Sequence, residues 1–561
     1  RMIESEHTQT FPITSTIQPS LQDECEGDTH DPATELAGYY QPSLTGLRVK
    51  YLSFSYYTLT HTSAATTCPI TPSLQCCRKV ASQRGYTTEE RLELLSEKEK
   101  TIMPNITRRE FLNHSALLAG SALLSRVAVA ENVSDTKPNI ILCMTDDQGW
   151  GDTGYNGHPV LRTPHLDQMA EEGLRFERFY SGAPVCSPTR GSCITGRHPY
   201  RYGIFFANAG HVKKEEVTLA EALKPLGYAT GHFGKWHLGT LTTKIKESNR
   251  ARPGDDSEYA PPWENGFDEC FSTEAKVPTY WKPGDYDRYG THYWTGPEAM
   301  VPAEQVQGDD STLIMDRALP FIQKAAQENT PFLAVIWFHA PHLPVVSAPP
   351  YTDGYEEHPD YHGCITAMDE QIGRLRSELD TLGIADNTML WFCSDNGPEG
   401  DDAAPGKTKG LRGRKRDLYE GGVRVPGLLV WPDRIKSYRT VMAPCSTSDY
   451  FPTVMDALGH QIPEMETRPY DGVSLLPLID DNMNERPRPI AFESKGTLAL
   501  IDNRYKAIRT PGGDYEIYDL IEDPGEQHDI ATDRPLIVES MRTRLAWWRN
   551  SCRHSLRGED Y

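Results

Sequence analysis

Three nearly unbroken apolar runs, IILCM at 140–144, FLAVIWF at 332–338 and TMLWFC at 388–393, do most to limit what this chain can fold into. Each has the length of a strand and lacks the alternation of a strand with one wet face. Such runs read as strands of a parallel sheet buried on both sides. Each also stops at a polar cluster: TDDQGWGD at 145–152, HAPHLP at 339–344 and SDNG at 394–397. In open α/β sheets the carboxyl edge of the strands is where ligands sit. The expected architecture is therefore α/β, a large and mostly parallel sheet flanked by helices, with its chemistry gathered along one edge.

The residues at those strand ends suggest what the chemistry is. Asp146 and Asp147 are adjacent carboxylates, and they repel unless a cation lies between them; taken alone, the pair also fits a polar turn with an Asp helix cap. Asp395 and Asn396 add two more oxygens at a second strand end. Four oxygen donors suit Ca²⁺ or Mg²⁺, and no thiolate or imidazole cluster points to zinc. In GHFGKWHLG at 231–239, Lys235 and His237 stand two apart and face the same way if the backbone is extended. A single histidine at a strand end, such as His339 or His342, is ordinarily structural, but here several polar strand ends converge. The stretch PVCSPTRGSCITGR at 184–197 adds a thiol, Cys186, open to three readings: half of a disulfide, a metal ligand, or a nucleophile.

Composition narrows the partners. The net charge of −22 argues against a nucleic-acid surface, which needs clustered Lys and Arg, so any anion site must concentrate its positive charge locally. The twelve cysteines include no CxxC and form no framework of disulfide spacings. Cys143, Cys193 and Cys393 are expected as buried free thiols, Cys193 on a helix that follows Cys186.

The first 102 residues begin with Arg and are rich in Ser, Thr, Pro and charge, without sustained periodicity. They read as disordered or as an upstream extension foreign to the mature protein. From Met103, the segment TRREFL at 107–112, an apolar run at 116–129 and Ala128-Val129-Ala130 resemble a twin-arginine export signal with its cleavage site. A membrane-anchoring helix is the competing reading, for which the run is short and rich in Ala and Ser. The expectation is a signal peptide at 103–130, a bacterial origin, passage through the twin-arginine export machinery, and a periplasmic or extracellular destination.

The motif Cys186-Ser187-Pro188-Thr189-Arg190, with Thr195-Gly196-Arg197 after it, resembles the C-x-P-x-R…T-G-R signature of type I sulfatases. Asp146-Asp147 before it and GKWHLG, HAPHLP, SDNG and YEGGVRVP after it stand in the same family order, and the likeness runs from about residue 138 to the C-terminus. It implies an alkaline-phosphatase-like catalytic domain at 136–482 and a smaller α+β domain at 483–561. It implies further that Cys186 is oxidised by a dedicated maturation enzyme to Cα-formylglycine. The hydrated aldehyde attacks sulfur with one oxygen and later expels sulfate by collapsing through the other, so that no water need attack sulfur. By the same resemblance Ca²⁺, rather than Mg²⁺, is held by Asp146, Asp147, Asp395, Asn396 and residue 186 itself. Arg190 steadies the formylglycine, and Lys235 and Lys415 hold sulfate oxygens. His237 acts as a base on the diol and His342 as the acid on the leaving oxygen, two roles the sequence leaves exchangeable.

The C-terminal stretch has strand-like runs at 489–493, 498–502, 505–509 and 516–519, then a helical pattern at 534–549. A small antiparallel sheet packed by a terminal helix is expected there. The expected substrates are sulfate esters, aryl sulfates or sulfated glycans, of the arylsulfatase or N-acetylgalactosamine-6-sulfatase kind. The aromatic-rich segment 252–296 reads equally as a sugar-binding rim or as loop packing. Two other functions fit the same motifs. One is a phosphonate monoester hydrolase or phosphodiesterase of the same superfamily, and the other a non-catalytic glycan-binding protein in which Cys186 stays a thiol. No sequence feature sets an oligomeric state.

Overall fold

The computed structural model describes residues 137–561, apart from 249, 251 and 463–466. The expected extension at 1–102 and export signal at 103–130 lie outside the described residues. A nine-stranded sheet forms the centre: β1 (Asn139–Thr145), β2 (Leu174–Phe176), β3 (Ala229–Lys235), β4 (Glu269–Thr273), β5 (Tyr293–Trp294), β6 (Phe332–Trp337), β7 (Thr388–Ser394), β8 (Gly427–Val430) and β9 (Arg439–Val441). Their spatial order is β9-β2-β8-β7-β1-β6-β3-β4-β5. The middle five, β7-β1-β6-β3-β4, are all parallel, and antiparallel strands β8 and β5 close them on either side.

Every residue of β1, β6 and β7 is buried, as their unbroken apolar runs require. Side chains alternate between two cores. Ile140, Leu142 and Met144 of β1 enter one with Ile194, Phe451 and Val454. Ile141 and Cys143 enter the other, with Ile314 and Met315 of helix Asp310–Gln327 and Ile365 and Met368 of helix Pro359–Thr381.

Register delivers the chemistry to one edge. Thr145 of β1 lies opposite Ser394 of β7, so Asp146 and Asp395 leave the sheet side by side. On the other flank β3 and β6 approach so closely at Gly234, φ +105°, that a Cβ there would meet the Trp337 carbonyl oxygen at 1.9 Å. Glycine alone fits the position just before Lys235.

A second, four-stranded antiparallel meander follows: β10 (Ile490–Ser494), β11 (Thr497–Ile501), β12 (Tyr505–Arg509) and β13 (Glu516–Asp519). One face packs on Tyr180, Leu418 and Val423 of the larger part. The other is covered by the terminal helix Pro535–Leu556 through Met541, Leu545, Trp548 and Cys552. That helix runs seven residues beyond the expected end at Arg549, because its buried stripe continues through Cys552 and Ser555.

Where the two sheets meet, the Lys506 ammonium lies 3.0 Å from Glu420 and 2.9 Å from Glu526, with all three side chains fully buried. Tyr180 donates its hydroxyl to Glu420 at 2.9 Å, and Glu526 accepts the Glu420 amide at 2.6 Å. Burial and the neighbouring Glu420 charge push Glu526 up to about 7. Lys506→Met strands two buried acids without their cation, and a loss of about 3 to 5 kcal/mol is expected. Thermal unfolding checks this: a variant that melts with the parent shows that the lysine does not hold the seam.

Candidate active site

The strand ends, one helix start and one loop meet in a single buried cluster. Cys186 is the first residue of helix Cys186–Thr195, rather than preceding it as expected, so the positive end of the helix dipole lies at its side chain. Burial pushes its thiol up to about 11, so as encoded it is a poor nucleophile. Cys143, Cys193 and Cys393 are buried free thiols as expected, and Cys186 also has no disulfide partner.

Arg190 lies one turn along the same helix. Its Nη2 and Nε donate to Asp395 Oδ2 at 2.6 and 3.1 Å, its Nη1 donates to the Lys235 carbonyl at 3.0 Å, and Asp146 stands 3.5 Å away. Lys235 donates to Asp146 at 2.6 Å. Lys415 donates to Asp147 at 2.8 Å and lies 3.2 Å from Glu399. The Asn396 amide donates to Asp147 Oδ1 at 2.7 Å, and the Asp147 backbone N–H donates to Asp395 Oδ1 at 3.1 Å. All ten residues named from the sequence are therefore buried, and those at the strand ends, Arg190 and Lys415 are joined by direct bonds.

The charges tune one another. Burial alone would raise Asp146, but Lys235 and Arg190 hold it well below the carboxylate range. Burial and repulsion from Asp146 push Asp395 up to about 7. Against the pull of burial, Asp147 holds Lys415 well above the ordinary lysine range. Burial lowers His342 to about 4 and, with Lys235 and Arg250, takes His237 well below its usual value, so both imidazoles are neutral.

The donor set fits a hard cation. Asp146 Oδ1 and Asn396 Oδ1 are buried oxygens with no hydrogen-bond partner, and both belong to the four predicted ligands. One oxygen each of Asp146 and Asp147, the Cys186 sulfur and one His342 nitrogen lie within 4.8 Å of one another. His342 was not among the expected ligands. Its Nδ1 donates to the Leu343 carbonyl at 2.6 Å, which leaves Nε2 unprotonated and 3.6 Å from Asp147.

One sequence expectation changes and one open reading is decided. His237 does not continue the strand beside Lys235: β3 ends at Lys235, and His237 turns to φ +60°, with its ring on Asn208 and its carbonyl on Arg250. Neither Asn208 nor Arg250 has a pattern that marks it in the sequence. The aromatic segment is largely packing rather than rim: Trp281, Tyr293 and Trp294 are buried, and Tyr293 stacks on Phe271 at 4.0 Å. Trp281 Nε1 and Tyr293 Oη both donate to Asp310 Oδ1, while Asp310 Oδ2 pairs with His339 Nδ1 at 2.8 Å. That layer thus fixes His339.

The sulfatase family profile matches residues 138–460, and the profile of the N-sulphoglucosamine sulphohydrolase C-terminal region matches 413–550. The chain is 32% identical over 417 residues to N-acetylgalactosamine-6-sulfatase of Mus musculus, covering 69% of this chain and 74% of that one. It is 30% identical over 454 residues to an ulvan-active sulfatase of Formosa agariphila, covering 74% and 82%. Among solved structures, Ps i-CgsB in complex with k-i-k-neocarrahexaose superposes with a TM-score of 0.64 at 25% identity, covering 74% of this chain and 93% of that one.

Proposed function

The chain belongs to the sulfatase family and is a sulfuric ester hydrolase; from that premise we propose that it removes sulfate from sulfated glycans outside the cytoplasm, through a formylglycine made from Cys186 and a bound Ca²⁺. The observation that carries this reading is the charge balance of the cluster. Asp146, Asp147 and Asp395 face Arg190, Lys235 and Lys415, so the six groups cancel when Asp395 is ionised, and nearby Glu399 is matched by Arg416. A divalent cation then adds two positive charges, which equal a singly charged sulfate ester plus one ionised nucleophile oxygen.

Asp146, Asp147, Asp395 and Asn396 would hold the cation, with residue 186 and His342 alongside. When bound, Ca²⁺ polarises a sulfate oxygen and favours ionisation of the nucleophile. Formylglycine supplies a hydrated aldehyde, an attacking oxygen with its own means of release. Lys235 and Lys415 bring ammonium groups to the sulfate oxygens, and Arg190 fixes the edge between Asp395 and Lys235. His342 serves as the acid on the leaving oxygen once its Nε2 has taken up a proton, and His237 takes a proton from the remaining hydroxyl of the sulfated residue 186 when sulfate leaves. Glycan substrates fit the relatives, which are named for N-acetylgalactosamine 6-sulfate and ulvan, and the neighbour that holds a neocarrahexaose. Export fits substrates of this size and the TRREFL segment. A maturing enzyme is the partner that Cys186 requires.

Two measurements test the proposal. The tryptic peptide ending at Arg190 is expected to weigh about eighteen daltons less than its thiol form, as sulfur and two hydrogens in effect give way to oxygen. The converted enzyme is expected to hydrolyse a nitrophenyl sulfate far faster than the matching phosphonate or phosphodiester, which carry the same single charge. A preference for phosphorus assigns the protein to the rival chemistry.

A further inference from the structure

Within this proposed reaction, His237 needs one ring nitrogen free to accept a proton, and the structure shows which. The His237 Nε2 lies 2.6 Å from Asn208 Oδ1, while Nδ1 is buried with no hydrogen-bond partner. A neutral imidazole carries one N–H, and an amide oxygen can only accept, so the proton resides on Nε2 and the lone pair on Nδ1. The backbone is held as firmly as the ring. His237 has φ +60°, uncommon for a residue with a Cβ, and its carbonyl accepts from Arg250 Nη1 at 3.1 Å. Arg250 Nη2 donates to the Ser187 hydroxyl at 3.1 Å, so one guanidinium spans His237 and the neighbour of residue 186. Asn208 is itself at φ +61°, in a turn closed by the Phe206–Ala209 bridge, and the Val212 amide pins that loop to the Leu238 carbonyl at 2.9 Å.

We propose that Asn208 is a positioning residue: by accepting from Nε2 it fixes His237 in the tautomer whose Nδ1 is the base for sulfate release, with Arg250 holding the backbone in place. This rests on the function proposed above. In that step Nδ1 takes the proton from the remaining hydroxyl of the sulfated residue 186. A C=O bond forms there, and the C–O bond to sulfate breaks with its electron pair leaving on sulfate. Attack on the substrate does not pass through this nitrogen, so weakening the Asn208 bond slows release more than attack.

Asn208→Gly tests this without disturbing the turn, because glycine adopts a positive φ freely and removes only the acceptor. With 4-nitrophenyl sulfate, turnover is expected to fall about 100-fold, the scale of a misplaced catalytic group. One nitrophenol per converted active site should still appear in a burst. The acid-quenched protein should carry an adduct of about eighty daltons, one SO₃ on residue 186. Asn208→Asp, which can only accept, should return turnover to within a few-fold of the parent. Parental turnover in Asn208→Gly overturns the proposal. So does slow turnover with neither burst nor adduct, or an Asp variant as slow as the glycine one. A converted parent enzyme that hydrolyses no aryl sulfate overturns the function itself, and the role of Asn208 with it.

Discussion

Cys186→Ala is expected to lower turnover by at least about 10⁴-fold, the scale of losing a covalent nucleophile, while the thermal unfolding midpoint stays close to the parent's. The side chain that disappears is small, and the helix it begins is anchored elsewhere. Arg190 ties it to Asp395 and Lys235, the Thr189 hydroxyl bonds the Ala183 and Val185 carbonyls, and Cys193 and Ile194 remain in the core. The alanine variant should therefore still bind the cation and the sulfate ester. Calorimetric titration with a substrate oligosaccharide, set beside the rate, makes the distinction. Retained turnover defeats the nucleophile assignment, and lost binding together with lost rate means the residue was holding the site's shape.

Asp147→Ala carries the second large effect. Asp147 sits at φ +64°, accepts from Asn396 and Lys415, and lies 3.6 Å from His342, so one carboxylate joins three of the site's elements. Its loss is expected to cost about 10³-fold in rate, comparable to removing one preorganised electrostatic contact. The cation supplies a readout independent of turnover. The parent should gain about 2.7 kcal/mol of stability at a hundred times the dissociation constant of Ca²⁺, seen as a rise in melting temperature. Asp147→Ala should lose most of that rise. An unchanged calcium-dependent rise would mean that the cation binds elsewhere.

How much of this the sequence carried depended on whether chemistry and local pattern coincided. The apolar runs of β1, β6 and β7 announce doubly buried strands, and the residues just past their ends had to fall on one edge, so Asp146, Asp147, Asp395 and Asn396 were legible from periodicity and charge alone. Lys415 was not: it stands among Arg412, Arg414 and Arg416, and only the order of motifs singled it out. What brings it home is a close approach of backbones, since a Cβ on Gly397 would meet the Gly421 carbonyl at 1.9 Å, pressing the SDNG turn against the loop that carries the lysine. Asn208 and Arg250 gave no signal because their roles depend on a reversed backbone at His237, which no spacing encodes. The aromatic segment was ambiguous for another reason. Rings that stack on sugars and rings that pack a loop have the same composition, and only the Asp310 hydrogen bonds separate the two.

The side chain at 186 is 2% exposed in the finished fold. That sets an order of events. A maturing enzyme must grip several residues beside its target, and those that follow it lie in a helix whose ten residues are all buried. If residue 186 is modified as proposed, modification has to come first, while the segment is still an open chain. The last elements to leave the ribosome help to close the door. Glu420, five residues after Lys415, finds its buried cation on β12 and its amide partner at Glu526, about a hundred residues later in synthesis. Until that stretch emerges, the Glu420 carboxylate lacks its buried cation and its amide lacks its acceptor. If the protein is matured and exported as proposed, a transporter that carries its cargo folded would inherit the outcome, and the compartment of synthesis would decide whether the enzyme is active.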